Sequence, residues 1–316
     1  MRSRVTLVLA ITAVVLGGVL LVPTAYARLA SDDSGGGGGG GTSTVAAPAP
    51  TPPPPPTLAA GPVSVSFKGE FFSWALMDRK TGKISGSSNM TATNSTESMI
   101  KAWIVSDYLR QLRDRQPTAE RKKQASAAIR NSNDDAAESL YNAGGRRPVL
   151  TRLIKMCKLT DTTIESGKAR WAYTRMSPRD AVRMGDCIAD GVAAGPNWTK
   201  WVLSEMSKVQ GTTADKDQQL KQGGGRWGII DGLPTQIKTQ GPVSIKNGWT
   251  MLWADVQWHL NCLAVTDKWT LAVMMRYPQK SGLDYGAKVC ASVATQLVTP
   301  APGAALKVPQ QPVGKL

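Results

Sequence analysis

The 316-residue chain has one histidine, and its four cysteines include no CxxC pair. A single imidazole removes most hydrolase arrangements in which histidine serves as the base. That histidine, His259, sits in the run "DVQWHLNCLAV" between Trp258 and Leu260, the setting of a structural strand residue. Without paired cysteines or further histidines, zinc is not expected, and the sequence calls for no other cofactor. Acidic residues are also scarce: 23 Asp and Glu stand against 38 Lys and Arg, a net charge of +15. Such a surplus suits anionic lipid, wall polymer or carboxylate-bearing substrates. No nucleic-acid motif accompanies it, so nucleic acid is not the expected partner. We find no internal repeat.

What the chain does have begins at its N-terminus. Met1-Arg2-Ser3-Arg4 is basic, Val5 to Val22 is apolar, and Ala25-Tyr26-Ala27 supplies small residues for cleavage. This is the layout of a secretory signal over residues 1–27. The apolar run nearly spans a bilayer, so a retained signal anchor is the alternative. In either case the rest of the chain is expected outside the cytoplasmic membrane, secreted or held at the cell wall. No cysteine lies near the cleavage position, which argues against a lipid anchor. Residues 28–62, with the run Gly35 to Gly41 and the prolines between Pro48 and Pro56, read as a disordered linker. The Pro- and Gln-containing tail, 300–316, reads the same way. Four cysteines in an oxidising compartment imply two disulfides. Their order suggests Cys157 with Cys187 and Cys262 with Cys290, although three pairings are open.

Between linker and tail, residues 63–299 form one domain, expected to be monomeric. Phe71 to Asp78 predicts a strand, and Arg79-Lys80-Thr81-Gly82-Lys83 a turn into a second one. From Ser98 to about Ile230 the apolar spacing is helical, as in Ala136, Ala137 and Leu140 or Ala181, Met184 and Ile188. Strands return at Pro242–Met251, Val256–Val265 and Trp269–Tyr277, and Leu283–Leu297 closes as a helix. The expectation is an α+β fold of three layers, its antiparallel sheet built from both chain ends around an all-helical insert.

Without a histidine base, covalent chemistry here would need a lysine kept neutral by burial or a neighbouring cation. Ser98 and Lys101, in "NSTESMIKAW", have the spacing: three apart on a helix, both side chains share one face. A helix start would also aim the Ser98 N–H at a developing oxyanion. The bland alternative is a capped helix with a solvated lysine.

Two later segments favour the first reading. Ser132-Asn133-Asp134 follows Ser98, and Lys246-Asn247-Gly248 lies on the first C-terminal strand. In this order the chain resembles the penicillin-recognising serine hydrolases, the class A-like β-lactamases and D-Ala-D-Ala peptidases, whose pattern is S-x-x-K, S-D-N, K-T-G. "RWGIIDGLP" before "VSIKNGW" is also similar to that group's approach to its Lys-x-Gly strand. Lys80-Thr81-Gly82 spells K-T-G literally but precedes the nucleophile in a turn, so it is set aside.

The resemblance implies a catalytic set of Ser98 as nucleophile, Lys101 as base and Ser132 as proton relay to the leaving nitrogen. It implies a substrate-binding set of Asp134, Lys246, Asn247, Gly248 and Trp249. Lys246 would attract the substrate carboxylate and help keep Lys101 neutral, and the N–H groups of Ser98 and Trp249 would form the oxyanion hole. Gly248 would let substrate lie against the strand. Three departures modify this. Asp134 replaces an amide donor with an acceptor, unless Asn133 turns inward. Asn247 replaces threonine, a milder change. Finally, E-x-x-L-N is absent: between Tyr141 and Pro178 the only glutamate is Glu165. Three functions stay open. They are an exported acyl-enzyme former on β-lactams or peptidoglycan stem peptides with slow deacylation, a true β-lactamase, and a non-catalytic wall- or partner-binding module.

Overall fold

The structure is a computed structural model that describes Thr51 and residues 54–167 and 170–299. The expected signal segment, most of the linker and the tail lie outside the described residues. Among the described residues no helix is long and apolar enough to cross a membrane.

In chain order, strands β1 (Thr57–Leu58), β2 (Phe71–Asp78), β3 (Ile84–Gly86) and β4 (Asn94–Ser95) lead to a 3-10 turn at Glu97–Ile100. Helices α1 (Lys101–Gln111), α2 (Ala119–Arg130), α3 (Asp134–Ala143) and α4 (Arg147–Met156) follow. Next come β5 (Arg175–Met176), α5 (Pro178–Ala189), α6 (Thr199–Met206) and the small hairpin β6 (Gln218–Gln219) and β7 (Gln222–Gly223). The chain closes through α7 (Ile229–Gly232), α8 (Thr235–Lys238), β8 (Ser244–Ile245), β9 (Gly248–Leu252), β10 (Gln257–Val265), β11 (Trp269–Pro278), α9 (Gly282–Leu297) and β12 (Val298–Thr299).

Local chemistry sets several of these boundaries. The Thr118 side chain caps α2 through Arg121 N, Asn133 caps α3 through Ala136 N, and Ser177 caps α5 through Asp180 N ahead of Pro178. Each cap satisfies an amide that the first helical turn leaves without a partner.

The main sheet is antiparallel in the order β3-β2-β11-β10-β8, with β9 also on β10. Both chain ends build it, as the sequence predicts. Ile245 pairs with Ala264 and Gly248 with Asn261, so the register runs unbroken from β8 into β9 across Lys246 and Asn247. Alternation then separates two faces. From β10, Leu263 and Val265 point toward Gly185 of α5, whereas Leu260 points toward Gly286 of α9. The sheet therefore lies between α9 and the helical insert, three layers in all. Disulfides join Cys157 to Cys187 and Cys262 to Cys290, the pairing suggested by their order.

One boundary differs from expectation. Thr57 and Leu58, assigned to the linker, pair with Thr299 and Val298, and Leu58 is buried. A short ladder at the end of α9 recruits residues that local composition marks as unstructured.

Candidate active site

The nucleophile position is held by amides from the sheet. Asn261 Nδ2 donates to the carbonyls of Ser95 (2.8 Å) and Thr96 (3.1 Å), while Asn94 Nδ2 donates to Asn261 Oδ1 (3.0 Å) and Met275 O (3.1 Å). All of this is buried, so the strand that leads into the 3-10 turn is pinned to β10 and β11. Gly248 meets the turn edge-on: a Cβ there would stand 2.3 Å from Met99 N, 2.5 Å from Thr96 O and 2.8 Å from Ser98 N. Only a residue without a side chain permits this approach. At the start of the turn, Ser98 N–H has no acceptor within the helix. Ser98 is partly exposed and lines a cleft of about 120 Å³.

Three of the predicted residues, Lys101, Ser132 and Lys246, converge. Lys101 and Lys246 are both fully buried. Lys101 Nζ lies 3.4 Å from Ser132 Oγ and Lys246 Nζ lies 3.0 Å from it, so two amines meet at one hydroxyl. Lys101 also donates to Ser132 O (2.5 Å), and Lys246 to Asn247 O (2.9 Å). Ser132 adopts φ +52°, a left-handed conformation that turns its carbonyl toward Lys101.

The structure departs from the sequence expectations in three places. First, Asp134 does not merely replace an amide: its Oδ1 accepts from Lys101 Nζ at 2.6 Å, and its Oδ2 from Arg170 at 2.8 Å. Burial lowers the Lys101 ammonium from 10.5 to about 8, with Asp134 resisting the drop. Lys246 has no carboxylate within bonding distance, and burial together with the Lys101 charge holds it well below the ordinary lysine range. Among the described residues, only Lys101 of the two amines has a carboxylate partner. Second, Asn133 does not turn inward; Oδ1 caps α3 and Nδ2 donates to Gln222. Third, Asn247 points to the opposite sheet face and spends Nδ2 on the carbonyls of Gly225 (2.9 Å) and Trp227 (2.8 Å). Strand alternation forces this once Lys246 faces the nucleophile. Trp249 is half-buried, packs edge-on against Trp227 and donates to Gln218 at 2.9 Å.

Three residues of the cleft carried no motif signal. Arg170 covers Asp134 from the segment before β5, and Trp171 places its ring 5.0 Å from Lys101 Nζ. Glu97 is buried beside Ser98, at φ +47°, and burial raises its carboxyl from 4.5 to about 7. Glu165 is not among the residues lining this cleft. His259 is buried in β10, as its strand setting predicts, bonding Ser95 Oγ and Asp255 Oδ2 at 2.7 Å each.

No family model matches the chain. It is 28% identical over 196 residues to the protein named "Putative lipoprotein LppW" in Mycobacterium tuberculosis and Mycobacterium bovis, a match to 61% of this chain. The matched part is 58% of the length of those curated relatives. Among solved structures, TLA-1 extended-spectrum β-lactamase aligns with TM-score 0.55 at 12% identity, over 73% of this chain and 94% of that one. PBP-A aligns with TM-score 0.53 at 13% identity, over 72% and 90%. A β-lactamase from Desulfarculus baarsii aligns with TM-score 0.51 at 16% identity, over 75% and 93%. The fold is that of the class A β-lactamases and PBP-A, shared at 12–16% sequence identity.

Proposed function

We propose that this exported protein uses Ser98 to form an acyl-enzyme with β-lactams or the peptidoglycan stem peptides they mimic. One observation supports the reading: a partly exposed Ser98 lines the same cleft as Asp134, and Asp134 is bonded to the Lys101 amine, which with Lys246 meets the Ser132 hydroxyl. Ser98 Oγ attacks the carbonyl carbon and its proton passes to a lysine amine. The C–N bond then breaks, and Ser132 hands a proton to the leaving nitrogen. The Ser98 and Trp249 amides would stabilise the oxyanion.

Acylation is expected to be slow. With Lys101 near 8, about one molecule in ten holds it neutral at pH 7, and the Asp134 pair must loosen before it accepts a proton. Cell-envelope placement is supported by the two disulfides and by the lipoprotein name of the matched relatives. A second reading, a non-catalytic wall- or partner-binding module, draws on the same Lys101–Asp134 pair and on the occupied Asn247 amide. Incubation with a fluorescent penicillin separates the two. Covalent label on the wild type and none on Ser98→Ala is the expected result; no label on either, or equal label on both, favours the module.

A further inference from the structure

Glu97 immediately precedes Ser98 and lines the same cleft, on the side formed by Arg170, Trp171 and Thr250. Its Oε1 is buried without a hydrogen-bond partner. The other carboxylate lining this cleft, Asp134, has one oxygen on Lys101 and the other on Arg170. Glu97 is thus the cleft carboxyl with an oxygen left to take a proton from a reacting group. Its left-handed backbone is what turns the side chain into this place.

Behind the carboxyl runs a line of polar groups. The hydroxyls of Ser95 and Thr250 adjoin it. Ser95 Oγ is 2.7 Å from His259 Nδ1, and His259 Nε2 is 2.7 Å from Asp255 Oδ2. Ser95 and His259 are buried, whereas the Asp255 side chain is 36% exposed, so the line ends at solvent. Its directions are self-consistent in two states. With Glu97 protonated, its carboxyl faces Ser95, Ser95 donates to Nδ1 of neutral His259, and Nε2–H donates to Asp255. With the proton moved to His259, Nδ1–H donates to Ser95 and Ser95 donates to the Glu97 carboxylate, while Nε2–H still meets Asp255. A purely structural strand histidine needs the bonds to Ser95 and Asp255 but not a titratable group beyond Ser95.

We propose that Glu97 is the general base that hydrolyses the Ser98 ester, with Ser95, His259 and Asp255 as the buried polar support behind it. The proposal rests on acylation at Ser98. A water on the Arg170–Thr250 side attacks the ester carbon, and Glu97 takes its proton. As the carbon–oxygen bond to Ser98 breaks, Glu97 gives that proton to Ser98 Oγ, a carboxylic acid leaves and both residues are reset; water is the only co-reactant. Because burial lifts Glu97 to about 7, release should be gated by pH, slow below 7 and faster above. The charges facing this carboxyl are Lys101, Asp134, Arg170 and Arg175, and those facing His259 are Asp255, Arg175 and Arg276.

The test uses the full chain acylated with penicillin, freed of excess reagent and followed by intact mass from pH 5.5 to 8.5. The wild-type adduct should decay about thirtyfold faster at the alkaline end, whereas the Glu97→Gln adduct forms and persists at least about tenfold longer with a flat profile. His259→Gln should move the inflection in pH. A Glu97→Gln adduct that decays at the wild-type rate and profile overturns the proposal. If the wild type never acquires label that Ser98→Ala lacks, acylation itself fails and the proposal falls with it. An infrared titration of the unacylated wild type stands apart from both. A protonated-carboxyl band should disappear around pH 7, and its absence at pH 5.5 rejects the role even if Glu97→Gln does not fold.

Discussion

The two walls of the cleft each bury a lysine, and they treat it differently. On the helical wall, Lys101 Nζ meets the Asp134 carboxylate, itself covered by Arg170. On the sheet wall, Lys246 Nζ meets only neutral oxygens, the Ser132 hydroxyl and the Asn247 carbonyl. Equal burial is therefore opposed more strongly at Lys101 than at Lys246. Desolvation drives both amines toward the neutral form, and only a carboxylate within bonding distance opposes it. Motif order alone assigns the base to Lys101 and the anion-attracting charge to Lys246. In the structure the carboxylate partner belongs to Lys101, and Lys246 is pushed down by burial and by the Lys101 charge.

Gly248→Ala should have the largest effect, because it pushes the walls apart where they touch. The new Cβ would strike backbone atoms of the nucleophile turn, which cannot swing aside as a side chain could. We expect loss of penicillin labelling by about a hundredfold or more and destabilisation of ~1–3 kcal/mol in urea melts. Normal labelling by this variant would show that the glycine edge does not position Ser98.

Asp134→Asn should erase the difference between the walls. Without its carboxylate, Lys101 is left with burial alone, and its ammonium should fall further below about 8. The sign follows from which form reacts: the neutral amine is the base, so labelling rises as pH climbs through the lysine value, and lowering that value moves the rise toward neutrality. Labelling at pH 7 should increase about tenfold, and its pH midpoint should shift downward. A slower Asp134→Asn would mean that the ion pair supports the site rather than restraining it.

Arg170→Ala should do least. Its side chain is 52% exposed, so solvent screens its charge on Asp134. A change of about twofold in labelling rate at low salt, fading at high salt, is the expected result. A large change would move Arg170 from the rim of the site to its working parts.

Much of the fold was legible because it is written in local periods and short spacings. The β2 hairpin, the three C-terminal strands and α9 follow from apolar alternation and the 3.6-residue repeat, with ends shifted by a residue or two. The ladder of Thr57–Leu58 was not legible, since its partner lies at the far end of the domain and proline-rich composition masks it. In the site, Ser98, Lys101, Ser132 and Lys246 stood out by order along the chain, and the structure joins Lys101 and Lys246 at the Ser132 hydroxyl.

By itself, then, the sequence determined the motif order, the helical insert within a sheet made from both ends, and which residue types stand near Ser98. Only tertiary structure decided what those residues can do. Lys101 is held charged by a carboxylate that arrives from α3, Asn247 is turned away by a register set through β10, and Glu97 is lifted toward neutrality by walls that close from distant segments. Spacing specifies which side chains share a face; charge state and direction depend on solvent exclusion and on partners remote in the chain, and no local pattern encodes either.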